Sequence, residues 1–536
     1  MYKLLTVLTS RDVKTYIPAR TIFNKSALLL GEQVSDKRKT EAPVEGTLYS
    51  ISKSNNDKVP NLKKMNITHV VAEIYPLASV GGYSKVVHAL TNRQSKSDRV
   101  NIITPYYSSI PKYLEKKVSR VYKFKATVSK TFNIEYATYS VDKNLTIYLV
   151  KNDDYFNFRT NVYGYTDDAN RWAYLSFCAL ELINQDVIKS DIIHTHDWHT
   201  GILQNIKHEY YPDIKAPVVF TIHNLKYQAM FDHHNSDLRA YDKWQKLPLY
   251  NNIGLQKLNY IKRAIKYADS CVFVSKGYLT EVLNGVNDEL LLPLLKKEKR
   301  KLTYVLNRVD SDFNPVKSDI FKQYNVENYE NKSNNKTYLQ KKLGLTVGKQ
   351  TPLICFVGRL SEQKGILLLI DTLDVILRNS NAQFIQLGGG DNNYIPKLIK
   401  LQNRYKGRVY IYGKSDFKIT PQVYASSDIC VVPSKFEPCG IVPMEAQIFG
   451  CVPVVNSTGG LNDTTIDYLD DKQAATGFIF KGFDKENFIF TLSKALELFN
   501  NKPEWERLIK NAMLQDFSWD KSACEYKKIY KHLINK

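Results

Sequence analysis

"PLICFVGRLSEQKGILLLIDTLDVILRN" (352–379) reads as one unit in three parts. An unbroken apolar run opens it, short and rich in Ile, Phe and Val, as a strand covered on both faces requires. A loop with two cations, Arg359 and Lys364, follows. Then "GILLLIDTLDVILRN" (365–379) repeats its apolar residues at helical spacing. Similar runs recur toward the C-terminus in "AQFIQLGG" (382–389), "RVYIYG" (408–413), "DICVVPS" (428–434) and "CVPVVN" (451–456). Toward the N-terminus they are "THVVAEI" (68–74), "VNIITPYY" (100–107), "DIIHTH" (191–196), "PVVFTIHN" (217–224), "SCVFVS" (270–275) and "LTYVLN" (302–307), with a helical pattern at "DANRWAYLSFCALELINQ" (168–185). Strands alternating with helices predict parallel sheets. The polar stretch "NVENYENKSNNKTY" (325–338) between the two series predicts a connector. The expected fold class is therefore α/β: two doubly wound, Rossmann-like domains facing a cleft, with ligands at the carboxyl ends of the strands.

The rest of the chain sets bounds. Its 536 residues exceed one compact core, and 43% hydrophobic content is enough for several. No run approaches the ~18 apolar residues of a membrane span. A net charge of +21 suits an anionic partner such as a phosphorylated small molecule, or simply solubility. The densest basic run, "KKEKRK" (296–301), has no interleaved aromatics and reads as a solvated loop, so nucleic acid is not an expected partner. Seven scattered cysteines without a CxxC pair indicate reduced thiols and a cytoplasmic compartment, not a disulfide frame or a zinc site. Residues 1–64 show no period and read as a divergent extension. A transit peptide within them would instead imply a plastid.

Several strand ends carry candidate chemistry. "PLASVGGYSK" (76–85) sets Gly81 and Gly82 between a strand and a helix, where backbone can approach a ligand closely. "HTHDWHTG" (194–201) ends a strand with His196 and Asp197. Its spacing admits a metal reading, but no further ligand cluster supports one, and a histidine hydrogen-bonding in the cleft competes. "FTIHNLKYQAMF" (220–231) likewise ends a strand with His223 and Asn224. Arg359 and Lys364 suit a diphosphate, since Arg grips phosphate oxygens bidentately and Lys adds a point charge. A pair of surface cations is the plainer reading. "QLGGGD" (386–391) offers Gly388 and Gly390 after a strand. "PSKFEPCGIVPMEAQIFG" (433–450) puts Glu437 in a loop, Cys439 and Gly440 at a helix start, and Glu445 in that helix's second turn. Free N–H groups at such a start bind an anion or a hydroxyl. Thr458, Gly459 and Gly460 in "STGGLNDTTID" (457–467) are expected to form one more backbone platform.

These motifs, with the closing "NAMLQDFSWDKSACEYKKIY" (511–530), resemble the bacterial glycogen synthase and plant starch synthase family, glycosyltransferase family 5, over about residues 66–533. The resemblance implies a GT-B fold, divided here at 65–315 and 316–512, with a C-terminal helix in 513–536 crossing back to the first domain. It implies a retaining glucosyltransferase that elongates an α-1,4-glucan, glycogen or starch, from ADP-glucose or UDP-glucose, with no cofactor and no metal. In that reading Arg359 and Lys364 hold the departing diphosphate and Glu437 orients the donor sugar's hydroxyls. Cys439 and Gly440 contact the same sugar, and His196 touches it in the reactive geometry. His223, Asn224 and Asp197 line the acceptor side of the cleft. One loop departs from the family. Its Lys-x-Gly-Gly-Leu-x-Asp pattern is Ser79-Val80-Gly81-Gly82-Tyr83-Ser84-Lys85 here, Arg308 stands where the family has Gly, and Ala229 replaces another Gly. Lys85 and Arg308 are the candidates to replace the missing cation. The departure leaves two alternatives: a catalytically impaired homologue that binds or initiates glucan, and a family-4-like glycosyltransferase with another acceptor. Family 4 uses a Glu-x7-Glu motif whose second acid binds the nucleotide ribose, and Glu437 and Glu445 have that spacing. The oligomeric state stays open.

Overall fold

A computed structural model describes residues 64–127, 131–232, 257–286 and 290–536. The expected extension and any transit peptide, at residues 1–63, lie outside the described residues.

The first sheet has nine strands in the order Leu302–Tyr304, Ser270–Phe273, Val218–Ile222, Ile192–His196, Asn66–Val70, Arg99–Pro105, Leu145–Lys151, Thr131–Asp142 and Tyr122–Thr127. Neighbours are parallel from Leu302–Tyr304 through Leu145–Lys151, and the last two strands add antiparallel pairs at that edge. The chain enters the sheet at Asn66–Val70, builds one side, and returns to the other side at Ile192–His196. The loops after Val70 and His196 therefore diverge and open a crevice between them. The edge hairpin is absent from the strands read in the sequence. Its residues Ile134 and Tyr136 are buried while Asn133 is exposed, so it lacks the unbroken apolar run of a strand covered on both faces.

The second sheet is wholly parallel, with six strands in the order Val409–Ile411, Gln383–Leu387, Leu353–Val357, Ile429–Val432, Val452–Asn456 and Phe478–Phe480. The helix Ile366–Asn379 contributes Leu369, Leu373, Ile376 and Leu377 to the core shared by these strands. Each such side chain contributes about 1.5–3 kcal/mol by leaving water. The chain again reverses its order between Leu353–Val357 and Ile429–Val432, which brings the Arg359 loop beside the Glu437 loop.

Two polar stretches differ from their sequence reading. The expected connector contains the start of the helix Lys332–Lys342, and two of its lysines are buried. Lys332 Nζ donates to the carbonyls of Tyr424 at 2.6 Å and Phe449 at 3.0 Å, and Lys336 pairs with Asp428 at 2.6 Å. Backbone carbonyls at the end of a neighbouring helix make a partner for a cation that composition cannot reveal. The "KKEKRK" run is also not a loop. It spans the end of the helix Leu292–Lys297 and a short 3-10 turn, where Lys301 donates to the Lys266 carbonyl at 3.0 Å.

The last helix, Trp519–Ile534, crosses back to the first domain and adds Trp519, Tyr526 and Tyr530 to a core with Ile67, Leu90, Val219 and Val305. Arg308 locks the approach: its Nε donates to Ser522 Oγ at 2.9 Å and its Nη1 to the Asp516 carbonyl at 2.6 Å. Arg308 is thus committed to the crossing segment and is not the replacement cation. The domains also meet at the helix Lys276–Leu283. Ser275 Oγ donates to the Pro438 carbonyl at 2.6 Å, and the Gly277 N–H to Asp463 at 2.6 Å.

Candidate active site

The opening loop is built over a carboxyl group. Glu73, at the end of the "VVAE" run, is almost wholly buried and accepts the Val80 N–H. Ser79, where the family has Lys, is tied to Ser84 at 2.6 Å, and Ser84 donates back to the Gly81 carbonyl at 3.0 Å. Gly81 caps the helix Gly82–Gln94, and its φ of −129° is open to any residue. A Cβ added at Gly82 would meet no protein atom within 4 Å, and one at Gly81 only Glu73 Oε1 at 3.9 Å. The space beside both glycines is open.

The other expected glycines are different. Gly388 and Gly390 have φ of 141° and 151°, and a Cβ would strike Gly358 O at 1.8 Å and Leu360 O at 2.4 Å. They let one loop lie flat against the Arg359 loop. Gly459 and Gly460 would clash with Glu437 O and Cys439 O at 2.1 and 2.0 Å. The Gly459 N–H already donates to Glu281 at 2.6 Å, and the Gly460 N–H to the Glu437 carbonyl at 2.9 Å. Thr458 Oγ1 also bonds Glu281, at 3.1 Å. The expected platform at Thr458–Gly460 is therefore a support that holds the Glu437 loop, since its glycine N–H groups are engaged.

Cations and acids meet at the second sheet. Lys364 and Glu437 form a half-buried ion pair, and Ser434 Oγ donates to Glu437 at 3.0 Å. Arg359 is exposed and has no hydrogen-bond or ion-pair partner among the described residues. Its field reaches Tyr163 of the first domain, so it faces the cleft. Cys439 turns its thiol away toward the Asn307 carbonyl at 3.6 Å, leaving only its backbone to the site, and Gly440 caps the helix Ile441–Ile448 at a φ of 86°. On that helix Glu445 bonds Tyr424 OH at 3.1 Å. Lys85 of the first domain reaches toward it: Lys85 Nζ lies 3.4 Å from the Phe417 ring centre, and the Lys85 charge opposes the rise in the Glu445 pKa.

The first-domain side is buried, and burial there works against charge. Asp197 sits at a φ of 57°, outside ordinary backbone for a non-glycine residue, and its Oδ1 has no partner among the described residues. Burial pushes the Glu73 and Asp197 carboxyls up to about 7, and does the same to Glu445 in the second domain. Burial also holds His69 down at about 4, His223 at about 3, and His194 and His196 well below the usual imidazole range. His196, expected to touch the sugar, is fully buried, and both its ring nitrogens are engaged: Nε2 with His69 at 3.0 Å and Nδ1 with His223 at 3.2 Å. The half-buried His223 is the member of this group that reaches the cleft. Asn224 shapes the turn after it, accepting the Lys226 N–H at 3.1 Å. Ligand nitrogens of His69, His194 and His196 lie within 4.8 Å of one another, but the facing nitrogens of His69 and His196 already hydrogen-bond each other. The cluster is closed by its own hydrogen bonds and leaves no lone pair pointing at a shared centre.

Glu73 and Tyr83 are site residues the sequence reading missed. Tyr83 OH accepts the Ala72 N–H at 3.1 Å, and its ring lies 4.9 Å from that of His223. An acid just past an apolar strand, within "VVAEI" (70–74), was the available signal for Glu73, because such an acid is seldom buried without a task.

The arrangement offers an anion-holding cluster on one wall and neutral hydrogen-bonding groups on the other. The family model described as "Starch synthase catalytic domain" matches residues 66–297, and that described as "Glycosyl transferases group 1" matches residues 341–515. A glycogen synthase from Clostridioides difficile is 35% identical over 488 residues, covering 88% of this chain and 100% of the relative. One from Bacillus cereus is 35% identical over 492 residues with the same coverage. Among solved structures, the catalytic domain of starch synthase IV from Arabidopsis thaliana bound to ADP and acarbose superposes with a TM-score of 0.79 at 28% identity, covering 88% of this chain and 100% of that one. With its GT-B pair of sheets, its two loops at each switch point and a likeness that spans those relatives from end to end, the chain belongs to the glycogen synthase and starch synthase family of glycosyltransferases.

Proposed function

We propose that this chain elongates an α-1,4-glucan by transferring glucose, with retained configuration, from ADP-glucose or UDP-glucose. The glucosyltransferase class follows from the family. The observation that carries the residue assignment is the Lys364–Glu437 pair at the switch point of the second sheet, on the same loop as an exposed Arg359 that has no partner among the described residues.

In this reading the donor diphosphate lies between that cluster and the open backbone of Gly81 and Gly82. Glycine at these two positions is not required by the fold, which supports a requirement set by the ligand. Glu437 orients the sugar hydroxyls and holds Lys364 extended. The C1–phosphate bond breaks as the acceptor hydroxyl attacks C1 from the same face. The departing phosphate oxygen takes the acceptor's proton. Negative charge grows on that phosphate, and Arg359 and Lys364 are preorganised to meet it. Lys85, facing Glu445 and Phe417, supplies the first-domain cation that Ser79 does not, and Glu445 lies where a nucleotide ribose would be held. Asn224 and His223 serve the acceptor. The mechanism uses no metal.

ADP-glucose is the preferred donor, a choice supported by the ADP in the starch synthase IV structure. The compartment is reducing and cytoplasmic, supported by free thiols at all seven cysteines, six of them buried. Among the described residues no helix is long and apolar enough to cross a membrane. Incubating the chain with glycogen and each labelled nucleotide sugar tests the proposal. Label in the glucan, lost in Glu437→Ala, is the expected result. Retention of glycogen on an affinity gel without incorporation from either donor would convert the reading to a glucan-binding homologue.

A further inference from the structure

A chain of side chains runs from the crossing helix to the cleft. Gln94 Nε2 donates to Tyr530 OH at 3.0 Å, and Gln94 Oε1 lies 2.8 Å from His69 Nε2. His69 Nδ1 lies 3.0 Å from His196 Nε2, and His196 Nδ1 lies 3.2 Å from His223 Nε2. A second arm leaves Tyr530 OH for His194 Nδ1 at 2.7 Å, continues from His194 Nε2 to Thr221 Oγ1 at 2.7 Å, and ends at Tyr526 OH at 3.1 Å.

A neutral imidazole has one N–H and one lone pair, so imidazoles bonded in series must all point the same way. Burial keeps these rings neutral. Gln94 therefore decides the direction. Its amide oxygen can only accept, so His69 carries its proton on Nε2 and offers a lone pair at Nδ1. His196 then carries its proton on Nε2, and so does His223. The remaining nitrogen, His223 Nδ1, becomes an acceptor. Turning the Gln94 amide reverses every link and makes His223 Nδ1 a donor. Tyr530 OH accepts the amide N–H, and with its own proton turned toward His194 Nδ1 it has none to offer the amide oxygen.

We propose that Gln94, held by Tyr530 of the crossing helix, is a positioning residue that sets the tautomer of His196 and His223, and so fixes His223 as the hydrogen-bond acceptor presented to the glucan hydroxyl. The role given to that hydroxyl rests on the glucosyl-transfer reading; the tautomers do not.

The test uses the full chain with histidine-selective 15N labelling, so that ring-nitrogen shifts report the tautomers, assigned by replacing His223 with Gln. The wild type is expected to show the Nε2–H form at both His196 and His223. Gln94→Leu and Tyr530→Phe are expected to give mixed populations, with kcat down roughly tenfold, as losing one oriented hydrogen bond would, and donor KM unchanged. Tyr530→Phe removes a single oxygen, so it stands in if Gln94→Leu does not fold. Wild-type ring shifts retained in both variants, or an Nδ1–H form in the wild type, overturn the proposal. Mixed tautomers with unchanged kcat overturn the functional half. The spectra need no turnover, so a wild type that transfers no glucose would refute the functional reading and leave the tautomer result to be judged alone.

Discussion

At the switch point of the second sheet stand cations and an ion pair: Arg359 has no partner among the described residues, and Lys364 faces Glu437. At that of the first sheet burial works against charge. Burial raises the Glu73 and Asp197 carboxyls to about 7 and keeps the histidines uncharged, and the loop's usual cation is a serine. The same reversal of strand order gives each sheet a crevice, and burial decides what that crevice can hold. A charged crevice suits a leaving diphosphate; a neutral one suits sugar hydroxyls, which need oriented donors and acceptors rather than a field.

The sharpest attempt to break this contrast is to neutralise the charged wall. Arg359→Ala should lower kcat by about 10²–10³, the usual loss for one preorganised group facing developing charge. Label incorporation into glycogen measures it, and a loss under tenfold would mean the diphosphate lies elsewhere. The next test reaches the neutral wall through pH. The Glu73 carboxyl, raised from 4.5 to about 7, stays protonated in the folded chain where the unfolded chain has released the proton. The wild type therefore loses stability as pH rises from 4.5 through 7, by about 3 kcal/mol at most. Glu73→Gln should escape that loss, so its advantage in urea unfolding should be larger at pH 8 than at pH 5. An advantage independent of pH would show that Glu73 is ionised in the fold.

Lys85 tests whether the neutral wall contributes any charge at all. Lys85→Ala should raise the donor KM roughly tenfold, as losing one charge-assisted hydrogen bond would, while Ser79→Lys should change little. A large gain from Ser79→Lys would instead mark the loop as impaired. The smallest effect is expected at Ala229, held at a φ of 51° where the family has glycine. Ala229→Gly should relieve about 1 kcal/mol of left-handed strain, partly offset by a freer unfolded chain, which thermal unfolding would register as a small rise.

Much of this organisation is legible from residue patterns, and its gaps have physical causes. Parallel strands such as Leu353–Val357 announce themselves because both faces are covered. The hairpin around Ile134 does not, because one face meets solvent. Lys364 and Glu437 are recognisable from motif, and the fold pairs them although 73 residues separate them. Thr458–Gly460 has the same glycine-rich look as Gly81–Gly82, and no local pattern distinguishes a glycine that clears space for a ligand from one that clears space for a carbonyl. Lys332 and Lys336 fall in a stretch that reads as a connector because their partners, the Tyr424 carbonyl and Asp428, lie 92 residues away.

The crossing helix has a consequence for how the chain is made. Trp519, Tyr526 and Tyr530 complete a core whose other members begin at Met65. A ribosome delivers the N-terminal domain's strands first, yet part of their packing waits for the last residues to be released. Until then Val219, Val272 and Val305 lack their final cover. A chain stopped about twenty residues early would lack that cover permanently, and the lesion would surface in the domain that was synthesised whole.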